Sequence, residues 1–253
     1  MSMRLLKQFG YGVLYFLIFT FVGAGIYRVY FYEAPTCSDN IKNQNETETD
    51  CGGECISCEI KNATLSVSHS DVLPAGEGKS TIVAKVTNPI DHSAVFKYKI
   101  EIVGSFGVVL GTEAGVSSVG PRGERNIVLP GLSVNTEDVI RVDLETSEVK
   151  WSEETGGSPF LIEVRGAETT ASGDSLMVTG RVYNDSLDVV GRARITAIIT
   201  DKNENLINAS AVDVKSIGVG KERAFTVFFP KLTTEIKPDE ISTLVFGEIV
   251  PDL

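Results

Sequence analysis

The sequence predicts a mainly β protein in which one transmembrane helix and a small disulfide-rich module precede two tandem β-sandwiches. Three observations carry that prediction. An uncharged run of twenty residues, Gln8 to Tyr27, opens the chain. All four cysteines fall between positions 37 and 58. Beyond them the chain repeats itself at a spacing close to one hundred residues.

Lys7 and Arg28 bound the apolar run. About 20 apolar residues rising 1.5 Å each match a bilayer hydrocarbon core of about 30 Å. The competing reading is a cleaved signal peptide, with Val22-Gly23-Ala24 ahead of the cut. It requires an apolar core of only about 7 to 15 residues. This run is longer and resumes after Arg28 as Val29-Tyr30-Phe31-Tyr32, the composition of an interfacial aromatic belt. Residues 8–32 are therefore read as a retained anchor and residues 1–7 as a cytoplasmic tail. Arg4, Lys7 and the terminal amine precede the span and Arg28 alone follows it, which keeps the N-terminus inside and places residues 33–253 outside. The chain has 23 Lys+Arg and 34 Asp+Glu, and residues 1–32 hold three of the basic side chains and none of the acidic, so the exported part carries a net −14. Such acidity excludes a nucleic-acid partner, which needs clustered Lys and Arg, and serves solubility.

Residues 33–58 form the cysteine module. In an oxidising compartment Cys37, Cys51, Cys55 and Cys58 read as two disulfides, which supply the stability that so small a core lacks; three pairings are open. Cys51-x3-Cys55-x2-Cys58 has the spacing of a radical iron–sulfur motif, but that chemistry needs a reducing compartment and a large barrel. A zinc site lacks its second knuckle, and a thioredoxin-like use of Cys55-Ile-Ser-Cys58 lacks a βαβ unit. Asp39, Asn43, Glu46 and Asp50, with Asn45 and Glu48 between them, crowd hard oxygen donors on one loop beside Gly52-Gly53. Two readings follow: turn-forming side chains with no cofactor, or ligands of a calcium ion.

This segment resembles a short module, C-x-D-G-I-x-N-x-x-E-x-x-x-D-C-G-G-x-C-x-x-C, of prokaryotic cell-surface proteins. The match comprises Cys37, Asp39, Ile41, Asn43, Glu46, Asp50, Cys51, Gly52, Gly53, Cys55 and Cys58. Asn40 replaces the usual glycine, and asparagine is the residue that best tolerates positive φ. The resemblance implies an envelope protein.

Downstream, Val116-Ser-Ser-Val-Gly120-Pro-Arg-Gly-Glu124-Arg125 aligns without a gap on Val214-Lys-Ser-Ile-Gly218-Val-Gly-Lys-Glu222-Arg223, 98 positions later. Ala84-Lys-Val-Thr-Asn88 aligns on Gly180-Arg-Val-Tyr-Asn184 at an offset of 96. Near-equal offsets mean a duplicated unit the size of an ordinary β-sandwich. Phe96-Lys-Tyr-Lys-Ile-Glu-Ile102 alternates apolar and charged residues as a half-buried strand must. Ile82–Val86, Arg125–Leu129, Val139–Leu144, Leu176–Tyr183, Ala193–Ile199, Ala224–Phe229 and Ile241–Phe246 are further β-rich runs. The sandwiches are placed at 59–150 and 160–253, with 151–159 as a flexible linker on the composition of Ser152-Glu-Glu-Thr-Gly-Gly-Ser-Pro159.

The second copy is similar to the FxLYD and LEA14-like families of immunoglobulin-type sandwiches. The residues that carry the likeness are Val178-Thr-Gly-Arg-Val-Tyr-Asn184, Ile195-Thr-Ala-Ile-Ile-Thr-Asp201 and Ile217-Gly-Val-Gly-Lys-Glu-Arg-Ala-Phe225. The resemblance implies two tandem immunoglobulin-like sandwiches and no shared catalytic residues. In the first copy Gly104-Ser-Phe-Gly-Val stands where the second has an Asp-Lys-Asn-Glu hairpin, so that turn must be rebuilt.

Groups for catalysis are few. His69 and His92 are the two histidines, and Asp91-His92-Ser93 is read as a solvated turn because contiguous residues cannot adopt triad geometry. Gly218-Val-Gly-Lys lacks phosphate-loop spacing. Trp151, the single tryptophan, is expected to pack against a sheet end. Asn45, Asn62, Asn184 and Asn208 head Asn-x-Ser/Thr sequons, which matter only in a host that glycosylates this compartment. The sequence thus predicts a membrane-anchored extracytoplasmic interaction protein, not an enzyme, with other envelope proteins as partners and no small-molecule substrate. An accessory subunit of an envelope complex is the alternative, and a calcium- or metal-dependent sensor a further one.

Overall fold

The computed structural model describes residues 3–30, 36–43, 45–155, 161–172, 175–229 and 241–250. The chain divides into two compact units, residues 1–61 and 62–253.

In the first unit α1 (Met3–Tyr30) is a single helix of 28 residues. Its Lys7–Tyr30 portion, 24 residues, is long and apolar enough to cross a membrane, and none of it is buried by the rest of the protein. No proline interrupts it, and the hydroxyl of Thr20 donates to the Phe16 carbonyl at 2.8 Å, so the helix satisfies its own polar group as an apolar surrounding demands. A loop with two disulfides follows and ends in α2 (Cys58–Asn62), whose Ile60 is buried.

Among the described residues the second unit contains twelve strands. β1 (Ser66–Pro74), β2 (Ser80–Thr87) and β5 (Glu124–Leu132) form one antiparallel sheet; β4 (Val109–Val119), β3 (His92–Val103) and β6 (Arg141–Thr155) form another. Ile82, Ala84, Val86 and Ile127 of the first sheet meet Ala94, Phe96, Tyr98, Ile100 and Val119 of the second in one core. This is sandwich 1. Sandwich 2 repeats the order. β7 (Leu161–Ser172), β8 (Ser175–Tyr183) and β11 (Glu222–Phe228) match β1, β2 and β5, while β10 (Leu206–Ile217), β9 (Val190–Asp201) and β12 (Ile241–Ile249) match β4, β3 and β6. Here Leu161 and Ile162 at the start of β7 also pair with Glu248 and Gly247 of β12, so the six strands form a continuous ladder. Val178, Val182, Ile195, Ala197, Ile199, Phe225 and Val227 fill its core.

The duplication is most visible at two buried asparagines. Asn88 follows β2 and donates its amide to the His92 and Gly120 carbonyls, each at 2.7 Å, while accepting the Ile90 N–H at 3.1 Å. Asn184 follows β8 and donates to Asp188 O at 2.8 Å and Ile217 O at 3.0 Å, while accepting the Ser186 N–H at 3.0 Å. One side chain thus supplies the hydrogen bonds that a departing strand and the next turn cannot make with each other.

Two expectations change. The stretch read as a flexible linker is strand as far as Thr155, because β6 stays paired with β3 up to Thr155 opposite His92; residues 156–159 lie outside the described residues. His92 is not a solvated turn residue. It begins β3, is buried, and its Nδ1 lies 2.8 Å from the Ser152 carbonyl. Trp151 packs half-buried against the core of sandwich 1.

Candidate functional site

The cysteine module closes as Cys37–Cys55 and Cys51–Cys58. Its turns use left-handed backbone at Asn40 (φ +59), Asn45 (φ +64), Asp50 (φ +54), Gly52 (φ +80) and Gly53 (φ +64). Asn40 therefore has the positive φ that asparagine tolerates better than other side chains. At Gly52 a Cβ would overlap the side chain of Thr47, so glycine is required for space as well as for φ.

The four candidate oxygen donors are drawn into this fold. Asp39 accepts the N–H groups of Thr36 at 3.1 Å and Ile41 at 2.9 Å, and the amide of Asn43 at 3.0 Å. Those bonds, led by the Thr36 amide, hold its carboxyl below the usual range. Glu46 is buried and accepts the N–H groups of Asn43 and Asp50, each at 3.1 Å. Asp50, also buried, accepts the Asn40 N–H at 2.9 Å, and the Lys61 ammonium stands 3.7 Å from its other oxygen. A calcium ion takes about six to eight oxygen ligands, and here it would share these carboxylates with the amides and the ammonium that they already engage. Asn43 Oδ1 is the single side-chain oxygen of the loop buried without a partner among the described residues. Glu48, Cys51 and Cys58 also gather their ligand atoms within 4.8 Å, but the two sulfurs are bonded to each other and offer no thiolate.

A second cluster lies where the sandwiches meet, and the sequence reading did not find it. Val83 and Val128, on the outward face of β2 and β5, are buried against Ile198 of β9 and Ala209 of β10, flanked by Leu73, Leu206 and Phe246. Beside this apolar seam Glu248 of β12 is 5% exposed. It accepts the Ser117 hydroxyl at 3.0 Å and lies 3.5 Å from the guanidinium of Arg125, also 5% exposed. Arg125 donates to the Ser118 carbonyl at 2.7 Å and stacks 5.1 Å from the Phe246 ring centre. Burial pushes the Glu248 carboxyl up and the guanidinium of Arg125 opposes that shift. Next to it Arg194 forks onto Asp213 at 2.8 and 3.3 Å. Buried charges cost free energy unless paired, and here the pairing joins two domains. A signal was present in the repeat: at the positions equivalent to Val83 and Val128, sandwich 2 has Thr179 and Thr226.

A groove of about 420 Å³ runs along this junction, with His69, Asp71, Lys85 and Glu124 on one wall and Ile198, Thr200 and Leu206 on the other. Its polar side chains engage one another: His69 Nε2 lies 2.9 Å from Asp71, and Lys85 lies 2.9 Å from Glu124. Asp91 accepts from Nε and Nη2 of Arg122, at 2.6 and 2.9 Å, so the Asp-His-Ser run holds a turn clamp and a buried histidine. Of the sequon asparagines, Asn184 and Asn208 are each 1% exposed whereas Asn45 and Asn62 stand in solvent.

No family model matches this chain, and no curated protein does. Among solved structures, similarity is found to a red sea bream transglutaminase, with 13% identity, 74% of this chain and 29% of that one covered, and a TM-score of 0.24. A β-glucuronidase of glycoside hydrolase family 2 has 16% identity, covers 88% of this chain and 26% of that one, and has a TM-score of 0.19. This chain spans under a third of either protein, and neither likeness carries an argument about its activity.

Proposed function

We propose that this chain is a single-pass, membrane-anchored interaction protein without catalytic activity, holding two immunoglobulin-like β-sandwiches outside the cytoplasm. The observation that carries the reading is the junction between the sandwiches. A buried apolar seam with an Arg125–Glu248 pair makes residues 62–253 one compact unit, which suits presentation of a fixed surface. The apolar helix supports membrane attachment, and the two disulfides support an oxidising compartment. The described histidines and carboxylates of the groove are paired for structure, which favours binding over chemistry. The cysteine module's resemblance to cell-surface proteins agrees with an envelope setting and with envelope proteins as partners.

An accessory subunit of a larger envelope complex is the second reading. It is favoured by Gly10, Gly12, Gly23 and Gly25, small residues of the kind that permit close approach of a neighbouring helix. Membrane fractionation, thiol labelling before and after reduction, and co-purification in mild detergent test both readings. The expected result is full-length chain in the membrane fraction, four thiols that label only after reduction, and a co-purifying protein. A fixed-ratio partner lost on substituting the four glycines by leucine selects the subunit reading. Full-length chain in the cytosol with four free thiols would overturn both.

A further inference from the structure

The β3–β4 turn of sandwich 1 is built unlike its counterpart in sandwich 2. It runs Gly104-Ser-Phe106-Gly-Val-Val-Leu110. Phe106 is fully exposed, and Val108 (57%), Val109 (51%) and Ile140 (68%) stand exposed around it. Its backbone is left-handed at Phe106 (φ +58) and Gly107 (φ +76). A bulky aromatic residue disfavours that region, and water disfavours an uncovered ring, so the tip is unfavourable on two independent counts. It is nevertheless firmly closed. Gly104 N donates to Val108 O at 2.8 Å, and Ile140 N donates to Val103 O at 2.9 Å. A notch of about 400 Å³ opens between the turn and Ile140–Arg141.

The duplicate shows that the fold itself does not ask for this tip. At the matching β9–β10 turn, Asp201 accepts the N–H groups of Asn203 and Asn205, each at 2.8 Å, and the exposed residues are Lys202, Asn203, Glu204 and Asn205. The same connection is made with polar side chains in one copy and with an apolar knob in the other. Around the knob the charge is acidic. Glu137 and Asp138 are exposed in the short helical turn before Ile140, the Asp138 carbonyl lies against Gly104, and Arg141 is already paired with Asp143 at 2.8 Å. Strand polarity puts the knob at the end of sandwich 1 opposite Ser66, where the chain enters.

We propose that this tip docks into a protein partner that presents an apolar socket with a basic rim. The proposal rests on the interaction reading above and narrows it to one surface. An acidic collar disfavours an anionic bilayer, whose binding needs Lys or Arg beside the apolar tip. It equally disfavours a second copy of this chain, which has 34 acidic against 23 basic side chains. Fully exposed aromatic residues that become buried are the kind that dominate binding energy at an interface.

The test uses the full-length chain in its own membranes, with p-benzoylphenylalanine at position 106 and, as control, at position 203. The expected result is one discrete protein adduct at 106 and none at 203. With that protein purified, Phe106→Asp and Ile140→Asp should each weaken binding at least tenfold, and moderate salt should weaken binding of the unaltered chain. The thermal transition should not fall, since both side chains point into solvent and aspartate tolerates the left-handed backbone at 106 better than phenylalanine does. A lipid adduct alone, an adduct of twice the chain's mass, or none would overturn the proposal. If the partner stays bound to Phe106→Asp, the knob is refuted while the interaction reading stands. If no partner is held by the unaltered chain, both fall.

Discussion

Arg125 and Arg223 occupy equivalent positions in the two sandwiches, and each donates to the equivalent serine carbonyl, Ser118 O at 2.7 Å and Ser216 O at 3.2 Å. Arg125 is buried because Glu248 of the other sandwich covers it; Arg223 is exposed. The neighbouring outward positions agree, with Val83 and Val128 in sandwich 1 and the half-buried Thr179 and Thr226 in sandwich 2. Duplication therefore kept the internal architecture and let the outward faces diverge, one to receive a domain and one to meet solvent. Differences between the copies are accordingly the places to look for function, whereas features they share belong to the fold.

The largest effect should come from breaking that asymmetry at its charged member. Glu248→Ala leaves the Arg125 guanidinium buried beside the seam with its counter-charge gone, and losing one partner of a buried pair costs about 3–5 kcal/mol. Arg223→Ala removes the same bond to a carbonyl from an exposed site and should stay within about 0.5 kcal/mol. Urea denaturation followed through Trp151, the single tryptophan, reads both. Equal losses would show that burial at the junction does not distinguish the two arginines.

Next come the shared asparagines. Asn88→Ala and Asn184→Ala each strand buried backbone groups, and the cost should be about 2–3 kcal/mol in either copy. Because the seam couples the sandwiches, Asn184→Ala should shift the transition seen by Trp151 although that residue lies in sandwich 1. In a Glu248→Ala background the coupling should weaken, and a second transition insensitive to Trp151 should separate. If Asn184→Ala never moves the Trp151 transition, the copies unfold independently and the junction is weaker than its burial indicates.

How much of this was legible follows from the range of the interactions involved. The anchor, the even cysteine count, the repeat and the alternating Phe96–Ile102 strand are local or periodic signals, and each has its element in the structure. Edge and polar strands were not named. β1 reads Ser-Val-Ser-His-Ser-Asp and is largely exposed along its first half, so it has no apolar face to betray it. His92 read as a turn because its strand partner and the Ser152 carbonyl that its Nδ1 meets lie some sixty residues away in sequence. Ser152–Thr155 read as linker for the same reason: composition knows nothing of the partner strand. The module's oxygen-rich side chains read either as turn formers or as calcium ligands, and their engagement with backbone amides is visible only in the structure. The junction could have been suspected by comparing outward positions of the repeat, Val against Thr, since an apolar residue on a face that its duplicate keeps polar needs a cover.

The smallest effect sharpens the comparison at a surface ion pair that both copies keep. Lys85–Glu124 in sandwich 1 corresponds to Arg181–Glu222 in sandwich 2, at 2.9 and 3.2 Å. Sandwich 2 adds Arg165, stacked 3.7 Å from the Tyr183 ring centre and donating to Glu163 at 2.6 Å and Glu222 at 3.0 Å. The guanidinium of Arg165 holds the carboxyls of both glutamates below their ordinary range, with Arg181 adding to the effect on Glu222. A depressed folded-state pKa gives stability that is present above the unfolded value and lost as pH falls through the folded one. Arg165→Gln should therefore raise the carbon-13 titration midpoints of Glu163 and Glu222 toward their unfolded values and shrink the share of stability that is lost on acidification between the unfolded and the folded midpoints. High salt should imitate the substitution in part, since these groups are exposed. If the two midpoints stay where they are in Arg165→Gln, the stack on Tyr183 orders the strand pair without acting on the charges, and the added residue is a packing feature of sandwich 2 alone.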